Sequence, residues 1–370
     1  MFPFFKHKTK DNEIKSKSST NSLLSQIIEN KKEIAKLNFL SPIQIENILK
    51  NNKDIDFLDF EFKKEMDYPD IEYLTNKLMP DIKENRNKKD MSAEKVMSGA
   101  IIGDIIGSHY EFEPHDYTYS LTEELPPKFS TYTDDTVLSI ATMKAIKENK
   151  DNPDFRKHYV DAYNKYPNVG YGSSFVMWAM GKTIDGEKID NNKGYHSFAN
   201  GCAMRVSYIA SAYDDIKDVI KHTIDSVMTT HDHIESVKNT VVVAICIWMA
   251  LHQYTKEEIM EYCKTIYTGN LDKLYFGYCQ YDINMETDNV SNVETRDSLF
   301  VNYAVPIAIR YFYETDSFVE CMRKINYHFG DTDTICAIAG GLCMAYYGKS
   351  GLDDDKIFHT YNIDSVIKSL

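Results

Sequence analysis

The stretch "YHFGDTDTICAIAGGL" (Tyr327–Leu342) places acidic and hydroxyl side chains directly before a run of small apolar residues. The apolar run has the composition of a buried segment, so the pattern predicts a helix that begins near Asp331 and Asp333. Threonine and aspartate are favoured at helix N-caps, and a carboxylate in the first turn interacts favourably with the helix dipole. Helix capping is therefore one interpretation of this stretch.

A second stretch, "TYTDDTVLSIA" (Thr131–Ala141), repeats the same arrangement ahead of another apolar helical pattern. A cap needs one oxygen atom, whereas these two predicted helix starts carry four carboxylates and several threonine hydroxyls. Carboxylates, hydroxyls and water are the ligands that Mg²⁺ prefers. Each stretch alone could be a cap, and the two together indicate a metal site.

A third stretch, "GAIIGDIIGSHYEFEP" (Gly99–Pro114), supplies the further candidate carboxylates Asp104, Glu111 and Glu113. Its glycines recur every four residues, which predicts a helix face on which another helix packs closely. Glu111 follows that helix and could equally be an ordinary solvated carboxylate.

Two glycine-containing segments look suited to a ligand: "YPNVGYGSSF" (Tyr166–Phe175) and "SFANGCAMRVS" (Ser197–Ser207). Backbone N–H groups beside glycine can approach a phosphate closely, and a following helix start favours negative charge. Tyr171 could stack on a base or simply pack in the core. In "TTHDHIES" we expect His231 to face a ligand and His233 to make a structural contact.

The composition limits the class of protein. The chain has 370 residues, 26% of them charged and 43% hydrophobic, as in soluble globular proteins. The net charge of −14 argues against a nucleic-acid partner, and the whole of this excess lies after residue 94. The longest apolar run, "VVVAICIWMAL", is too short for a membrane span and predicts a buried helix. The N-terminus shows the reverse of a secretory signal, so we expect a cytoplasmic protein.

Helical patterns dominate from residue 95 onward, one of them over residues 201–212, and do not alternate with strands, which predicts an all-α bundle. The seven cysteines form no Cys-x-x-Cys pair and are expected to be reduced core residues. Residues 1–94 form a predicted N-terminal extension, with two short helices, the extended segment "DIDFLDFEF" and a polar linker that ends near residue 94. Residues 95–370 form the predicted catalytic domain.

Taken in order, the segments quoted above resemble the ADP-ribosylglycohydrolase family, which includes dinitrogenase reductase-activating glycohydrolases and ADP-ribosylarginine and ADP-ribosylserine hydrolases. The resemblance covers about residues 95–350. It implies a compact all-α fold with two Mg²⁺ ions, or Mn²⁺ in their place, in a cleft. It implies an ADP-ribosylated protein as the substrate, with arginine as the first choice of modified residue. The charge and composition described above argue against nucleic acid and membrane as partners.

The resemblance also implies roles for individual residues. The implied metal ligands are Thr133, Asp134, Asp135, Asp331, Asp333 and Thr334. The implied catalytic residues are Glu111, Asp135 and Asp331. The implied ligand-binding residues are Gly170, Tyr171, Gly172, Ser173, Asn200, Gly201, Met204, Arg205 and His231.

The extension of residues 1–94 has no counterpart in the family's catalytic core. Some bacterial members of the family act as immunity proteins against ADP-ribosyltransferase toxins, so this extension could plug a toxin's active site. It could equally pack along the catalytic domain. A non-catalytic binding module is the rival hypothesis to an enzyme, and the complete ligand set favours the enzyme.

Overall fold

The computed structural model describes residues 71–81, 86–111, 124–183, 186–267, 299–326 and 330–370. The predicted N-terminal helices, the segment "DIDFLDFEF" and Glu113 lie outside these residues. Within them the chain is helical and forms no named strand, which confirms the all-α prediction. The helices are α1 (Ile71–Leu78), α2 (Ala93–Gly107), α3 (Asp134–Glu148), α4 (Phe155–Lys165), α5 (Ser173–Met180), α6 (Ser207–Ala212), α7 (Ile216–Met228), α8 (Ile234–Leu251), α9 (Lys256–Tyr267), α10 (Val301–Glu314), α11 (Phe318–Ile325), α12 (Thr332–Tyr347), α13 (Asp354–Thr360) and α14 (Ile363–Ser369).

The centre of the fold is the packing of α2 on α12. A Cβ atom added at Gly103 would overlap the carbonyl oxygen of Cys336, and one at Gly107 would overlap that of Thr332. The two backbones therefore touch, because only glycine leaves room for so close an approach. This confirms the predicted close-packing face, and α8, α10 and α11 pack around the other sides of α12.

Helix α8 is the described helix that is long and apolar enough to span a membrane by composition, and 94% of it is buried inside the protein. The run "VVVAICIWMAL" forms its second half, so the predicted buried helix is confirmed. The described cysteines are free thiols in the interior, also as predicted.

The segment before α2 is anchored by three basic side chains. Arg86 binds both carboxylate oxygens of Glu258 at 2.6 and 2.7 Å. Lys88 donates to the carbonyl oxygen of Ser211, and Lys89 donates to the carbonyl oxygens of Ala345 and Tyr346 at the end of α12. Unpaired carbonyls at a helix C-terminus are favourable partners for such cations. Residues 86–89 are thus fixed to the domain by side-chain contacts.

Two features of the helix pattern differ from expectation. The sequence predicted one helix over 201–212, but a 3-10 turn (Asn200–Cys202) comes first and α6 begins only at Ser207. In this stretch the side chains of Asn200 and Arg205 hydrogen-bond to residues far away in the sequence, Asp331 and Thr230. The irregular backbone lets them reach these partners. Helix α1, whose Leu74 and Leu78 are fully buried, was not predicted, and neither were α13 and α14.

Candidate active site and metal centre

The first acidic cluster lies at the start of α3. Thr133 is the N-cap, and its hydroxyl accepts a hydrogen bond from the backbone N–H of Asp135 at 3.3 Å. The capping interpretation is therefore correct for Thr133. The carboxylates of Asp134 and Asp135 are not needed for the cap and are left for another purpose. Asp135 is buried, and its Oδ1 has no hydrogen-bond partner among the described residues.

The second acidic cluster lies at the start of α12. Asp331 occupies the N-cap position but makes no side-chain capping bond. Its Oδ2 instead accepts a hydrogen bond of 2.8 Å from the amide of Asn200. The next side chain, Thr332, turns away and donates to the carbonyl oxygen of Gly107 on α2 at 2.9 Å.

The structure brings the two clusters together. Carboxylate oxygens of Asp104, Asp135 and Asp333 lie within 4.8 Å of one another, and so do those of Glu111, Asp331 and Asp333. Asp333 belongs to both groups and joins them. The hydroxyl of Thr334 also crosses between the helices to Asp135 Oδ2, at 3.3 Å.

Burial and mutual repulsion raise the pKa values of these carboxyls. The pKa of Asp134 rises to about 8, first because the group is buried and then because of Asp104 and Asp331. The pKa of Glu111 also rises to about 8, from burial and from Asp331, Asp134 and Asp104. The pKa values of Asp135 and Asp333 are raised well above the ordinary range, again mainly by burial. So many carboxylates cannot all be charged together without a compensating cation.

The donor set fits hard divalent cations. It consists of carboxylate and hydroxyl oxygens, with no cysteine or histidine in either described group. The unpartnered Oδ1 of Asp135 is a buried acceptor that a cation would satisfy. The two described groups combine the predicted ligands Asp135, Asp331 and Asp333 with Asp104 and Glu111. Thr133, Asp134 and Thr334 complete the predicted ligand set. Their individual roles as ligands stay predictions.

Asp104 has a different environment from its neighbours, and it was absent from the predicted metal ligands. Its carboxylate accepts hydrogen bonds from the backbone N–H and the hydroxyl of Thr133 and from the same two groups of Thr136, at 2.5 to 3.1 Å. These donors partly offset burial, so the pKa of Asp104 rises only to about 6. A charged residue inside an otherwise apolar helix was the signal that could have identified this support.

The first predicted ligand loop, Tyr166–Phe175, lies beside the acidic cluster at the start of α3. The backbone N–H of Asp134 donates to the carbonyl oxygen of Val169 at 2.7 Å, and Gly170 follows with φ of +102°. A Cβ at Gly170 would lie 3.3 Å from Asp134 Oδ1. Gly172 then caps α5, which begins at Ser173. The backbone of this loop is therefore close to the acidic cluster, as a ligand loop requires.

Tyr171 packs within an aromatic row. Its ring is stacked on that of Phe175, with centroids 5.0 Å apart and planes 15° apart, and its edge meets Tyr163. Its hydroxyl is buried without a hydrogen-bond partner among the described residues. The contact with Phe175 supports the packing alternative, and stacking on a base stays a prediction.

The second predicted ligand loop also reaches the site, although its side chains divide between two tasks. Asn200 holds Asp331, and the sulfur of Met204 lies 3.9 Å from the hydroxyl of Thr334. Gly201 lies against the ring of His231. Arg205 is fully buried, and its predicted contact with a ligand stays a prediction.

The two predicted histidines lie in different environments, and His233 makes the structural contact that was expected of it. Its Nδ1 accepts the backbone N–H of Glu235 at 3.1 Å and so caps α8, a structural contact. His231 is 4% exposed and lies beside Gly201. Its role toward a ligand stays a prediction.

Comparison with known proteins places this site in a family. The ADP-ribosylglycohydrolase family model matches residues 86–368, most of the chain. The chain belongs to the ADP-ribosylglycohydrolase family. Members of this family are metal-dependent and act on ADP-ribosylated substrates. Membership confirms the sequence-based resemblance and indicates an enzyme that hydrolyses glycosidic bonds.

Individual relatives agree with the family match. ADP-ribosylhydrolase ARH3 of Mus musculus is 29% identical over 311 residues, which cover 68% of this chain and 82% of that protein. ADP-ribosylhydrolase ARH3 of Homo sapiens is 28% identical over 314 residues, with 68% and 84% covered. A solved structure described as an "ADP-ribosylglycohydrolase-related protein complex" has a TM-score of 0.55 at 20% identity, covering 75% of this chain and 96% of that one. At that identity the structural likeness supports the fold alone.

Proposed function

We propose that this ADP-ribosylglycohydrolase removes ADP-ribose from a modified protein side chain, using two Mg²⁺ ions held between the starts of α3 and α12. The observation that carries the proposal is the pair of carboxylate groups that share Asp333. Mn²⁺ prefers the same oxygen ligands and would occupy the same positions. When bound, two such cations offset the carboxylate charge and act as Lewis acids toward ribose hydroxyls and a water molecule.

Glu111 is the group that we assign to proton movement. It is half-buried beside Asp331 and Asp333, and in the metal-free protein burial and then the charges of Asp331, Asp134 and Asp104 raise its pKa to about 8. In the proposed reaction the water oxygen bonds to the anomeric carbon of ribose while the bond to the side-chain nitrogen breaks. One proton of that water passes through Glu111 to the leaving nitrogen. Asp135 and Asp331 orient the reacting groups from the two helix starts.

The charge of the site favours arginine as the modified residue. Besides Glu111, which carries the proton, the site gathers the carboxylates of Asp104, Asp134, Asp135, Asp331 and Asp333, and their five negative charges would exceed the four positive charges of two divalent cations. The remaining negative charge attracts the guanidinium group of a modified arginine and does nothing for the neutral glycosidic oxygen of a modified serine. We therefore propose ADP-ribosyl-arginine as the preferred substrate and ADP-ribosyl-serine as the competitor to measure against it.

The test is release of ADP-ribose from matched peptides that carry the modification on arginine or on serine, with Mg²⁺, with Mn²⁺ and with a chelator. We expect release from the arginine peptide with either metal and none with chelator. Glu111→Gln is the matched inactive control, because it keeps the size of the side chain and removes the proton carrier. Absence of release from both peptides with Mg²⁺ present would refute the proposal, and faster release from serine would refute the acceptor assignment alone.

The rival function is a module that binds its partner without turnover. It predicts that Asp135→Asn and Asp331→Asn lose metal binding yet keep the biological effect. The buried carboxylates argue against this rival, because a module that only holds a partner has no need of so many carboxylates, each destabilised by burial, beside Glu111. Measuring partner binding and hydrolysis on the same variants separates the two functions.

An immunity role against an ADP-ribosyltransferase toxin is part of the proposal for the N-terminal extension. Residues 71–78 and 86–89 contact the catalytic helices, as the hydrogen bond from Tyr262 to the carbonyl oxygen of Leu78 and the contacts of Arg86 illustrate. We therefore confine the partner-binding role to residues 1–70. Deleting residues 1–70 is expected to leave hydrolysis intact and abolish toxin binding, whereas deleting residues 1–94 is expected to destabilise the domain. Loss of hydrolysis in the shorter deletion would refute this division.

A further inference from the structure

A buried hydrogen-bond chain leads from Arg205 through Thr230 to His231. Arg205 Nη2 lies 2.7 Å from the hydroxyl oxygen of Thr230, and that oxygen lies 2.7 Å from His231 Nδ1. Arg205 and Thr230 are both fully buried. The guanidinium also stacks on the ring of Tyr159, 4.1 Å from its centroid. Every member of the chain is thus held in place by packing.

The chemistry of arginine fixes the direction of this chain. A guanidinium group has only donors, so the Thr230 oxygen accepts from Arg205. The hydroxyl has one hydrogen to donate, and among the described residues His231 Nδ1 is the atom within hydrogen-bonding distance that can accept it. A hydroxyl hydrogen left unpaired in a buried position is unfavourable. Nδ1 of His231 is therefore the acceptor, and the ring proton resides on Nε2.

The surroundings of His231 also keep the ring neutral. Burial and the charge of Arg205 lower the pKa of His231 well below its ordinary value. The carboxylate of the adjacent Asp232 is directed elsewhere, to the backbone N–H of His196 at 2.6 Å. The ring of Tyr195 covers another side, with its centroid 5.1 Å away. No described carboxylate pairs with the imidazole to stabilise its charged form.

The Nε2 edge of His231 faces the second ligand loop. A Cβ added at Gly201 would lie 3.5 Å from Nε2, and the neighbouring Asn200 binds Asp331 of the metal site. Nε2 has no hydrogen-bond partner among the described residues. A neutral imidazole with its proton on Nε2 can only donate at this edge.

We propose that Arg205 and Thr230 are positioning residues that hold His231 as its Nε2–H tautomer, so that His231 donates a hydrogen bond to bound ADP-ribose and takes no part in proton transfer. The acceptor is an oxygen of the ligand, and a phosphate oxygen is the strongest one available. This inference rests on the proposed function and deepens it, because it leaves proton movement to the carboxylates.

The test is the tautomer itself, read by ¹⁵N NMR of histidine-labelled protein from about pH 5.5 to 8.5. His231→Gln identifies the resonance. We expect a proton on Nε2 only, with no titration across this range. Thr230→Ser keeps the hydroxyl and should leave the tautomer unchanged. Thr230→Val has nearly the same shape without the hydroxyl, and it should release Nδ1 from its donor and mix the tautomers.

Affinity for ADP-ribose is the second measurement. The loss of one oriented hydrogen bond predicts an affinity about tenfold weaker for Thr230→Val and unchanged for Thr230→Ser. A wild-type ring that carries its proton on Nδ1, or that titrates near the ordinary pKa of histidine, would overturn the inference even if the enzyme is fully active. Normal tautomer and affinity without hydrolysis would refute the proposed function instead. The wild-type spectrum decides the question even if Thr230→Val fails to fold.

Discussion

The starts of α3 and α12 carry nearly the same sequence pattern, but they are supported in different ways. At α3 a buried carboxylate, Asp104, accepts four hydrogen bonds from Thr133 and Thr136 and holds the backbone of the cluster. At α12 a neutral amide, Asn200, donates a single bond to the carboxylate of Asp331. Asp104 therefore fixes the backbone that carries the proposed metal ligands at α3. Asn200 instead fixes one carboxylate oxygen of a proposed ligand, Asp331, directly.

This difference indicates how each acidic cluster would respond to the loss of the residue that supports it. Removal of Asp104 leaves several buried donors without an acceptor, and removal of Asn200 takes one hydrogen-bond donor from the carboxylate of Asp331. Buried donors without partners are expensive, so the first cluster depends more on its support than the second. The predictions below test that asymmetry.

The largest effect is expected for Asp135→Asn, at the junction of the two helices. Hydrolysis should fall by roughly a thousandfold, because metal binding and charge placement are lost together. The metal-free protein should melt at a higher temperature, because a neutral amide avoids the burial cost and then the repulsion that raise the pKa of this carboxyl. Asp161→Asn, at an exposed position in a surface ion pair, is the control. Activity within tenfold of the wild type would contradict the assignment.

Asp104→Asn should weaken Mg²⁺ binding by about 10- to 100-fold, the range typical of residues that orient metal ligands. An asparagine offers one acceptor oxygen, and its amide hydrogens would face the donors of Thr133 and Thr136. Calorimetric titration of the ion measures the affinity, and thermal melting with chelator shows whether the fold has also been weakened.

Asn200→Ala should weaken Mg²⁺ binding less, by about tenfold, because Asp331 keeps its position on α12 and loses one orienting bond. The same titration measures this variant beside Asp104→Asn. If Asn200→Ala proved the more damaging of the two, the comparison between the helix starts would be wrong.

The pH dependence of stability tests both clusters at once. Without metal the pKa values of Asp134 and Glu111 are raised to about 8, above their unfolded values of about 4. The folded protein then binds more protons than the unfolded chain between about pH 4 and 8, so its stability falls as the pH rises through that range. Mg²⁺ should reverse the fall. Thermal melts with chelator and with Mg²⁺ between about pH 5 and 8.5 measure it, and a flat metal-free profile would contradict the prediction.

The smallest effect concerns the loop over the first cluster. Gly170 has φ of +102°, so Gly170→Ala should lower the free energy of unfolding by about 1 kcal/mol or somewhat more. Gly172 has φ of −58° and open space at its Cβ position, so Gly172→Ala adds no backbone strain and should cost about 0.5 kcal/mol, because alanine is a poorer N-cap than glycine. Chemical denaturation measures both variants, and equal effects would contradict the strain argument.

Part of this site could be predicted from the sequence, because the relevant signals are local. Apolar runs that follow clusters of aspartate and threonine predicted α3 and α12. The two helix starts carry more carboxylates than capping requires, and this excess predicted a bound cation. The supports could not be predicted in this way. Asn200 and Asp331 are 131 positions apart, and Thr230 reaches Arg205 across 25 positions, so only the folded chain brings them together.

The segment before α2 shows the same limit. Its basic residues suggested a polar linker, because the carbonyl and carboxylate partners of Arg86 and Lys89 lie more than 160 positions away. The boundary at residue 94 stays a prediction, and the first turn of α2 already includes Glu94.

Helix α2 has a consequence for how this protein can change over time. One part of it, Asp104, holds the first cluster, while Gly103 and Gly107 bring its backbone against the start of α12. The distance between the starts of α3 and α12 is therefore set by bond lengths and atomic radii along α2. Side-chain replacements elsewhere in the bundle do not alter this distance. Peripheral helices can accumulate substitutions that shift stability and leave the spacing of the reacting groups unchanged. Chemistry and outer surface can thus evolve independently, and an altered preference for partners need not require a new active site.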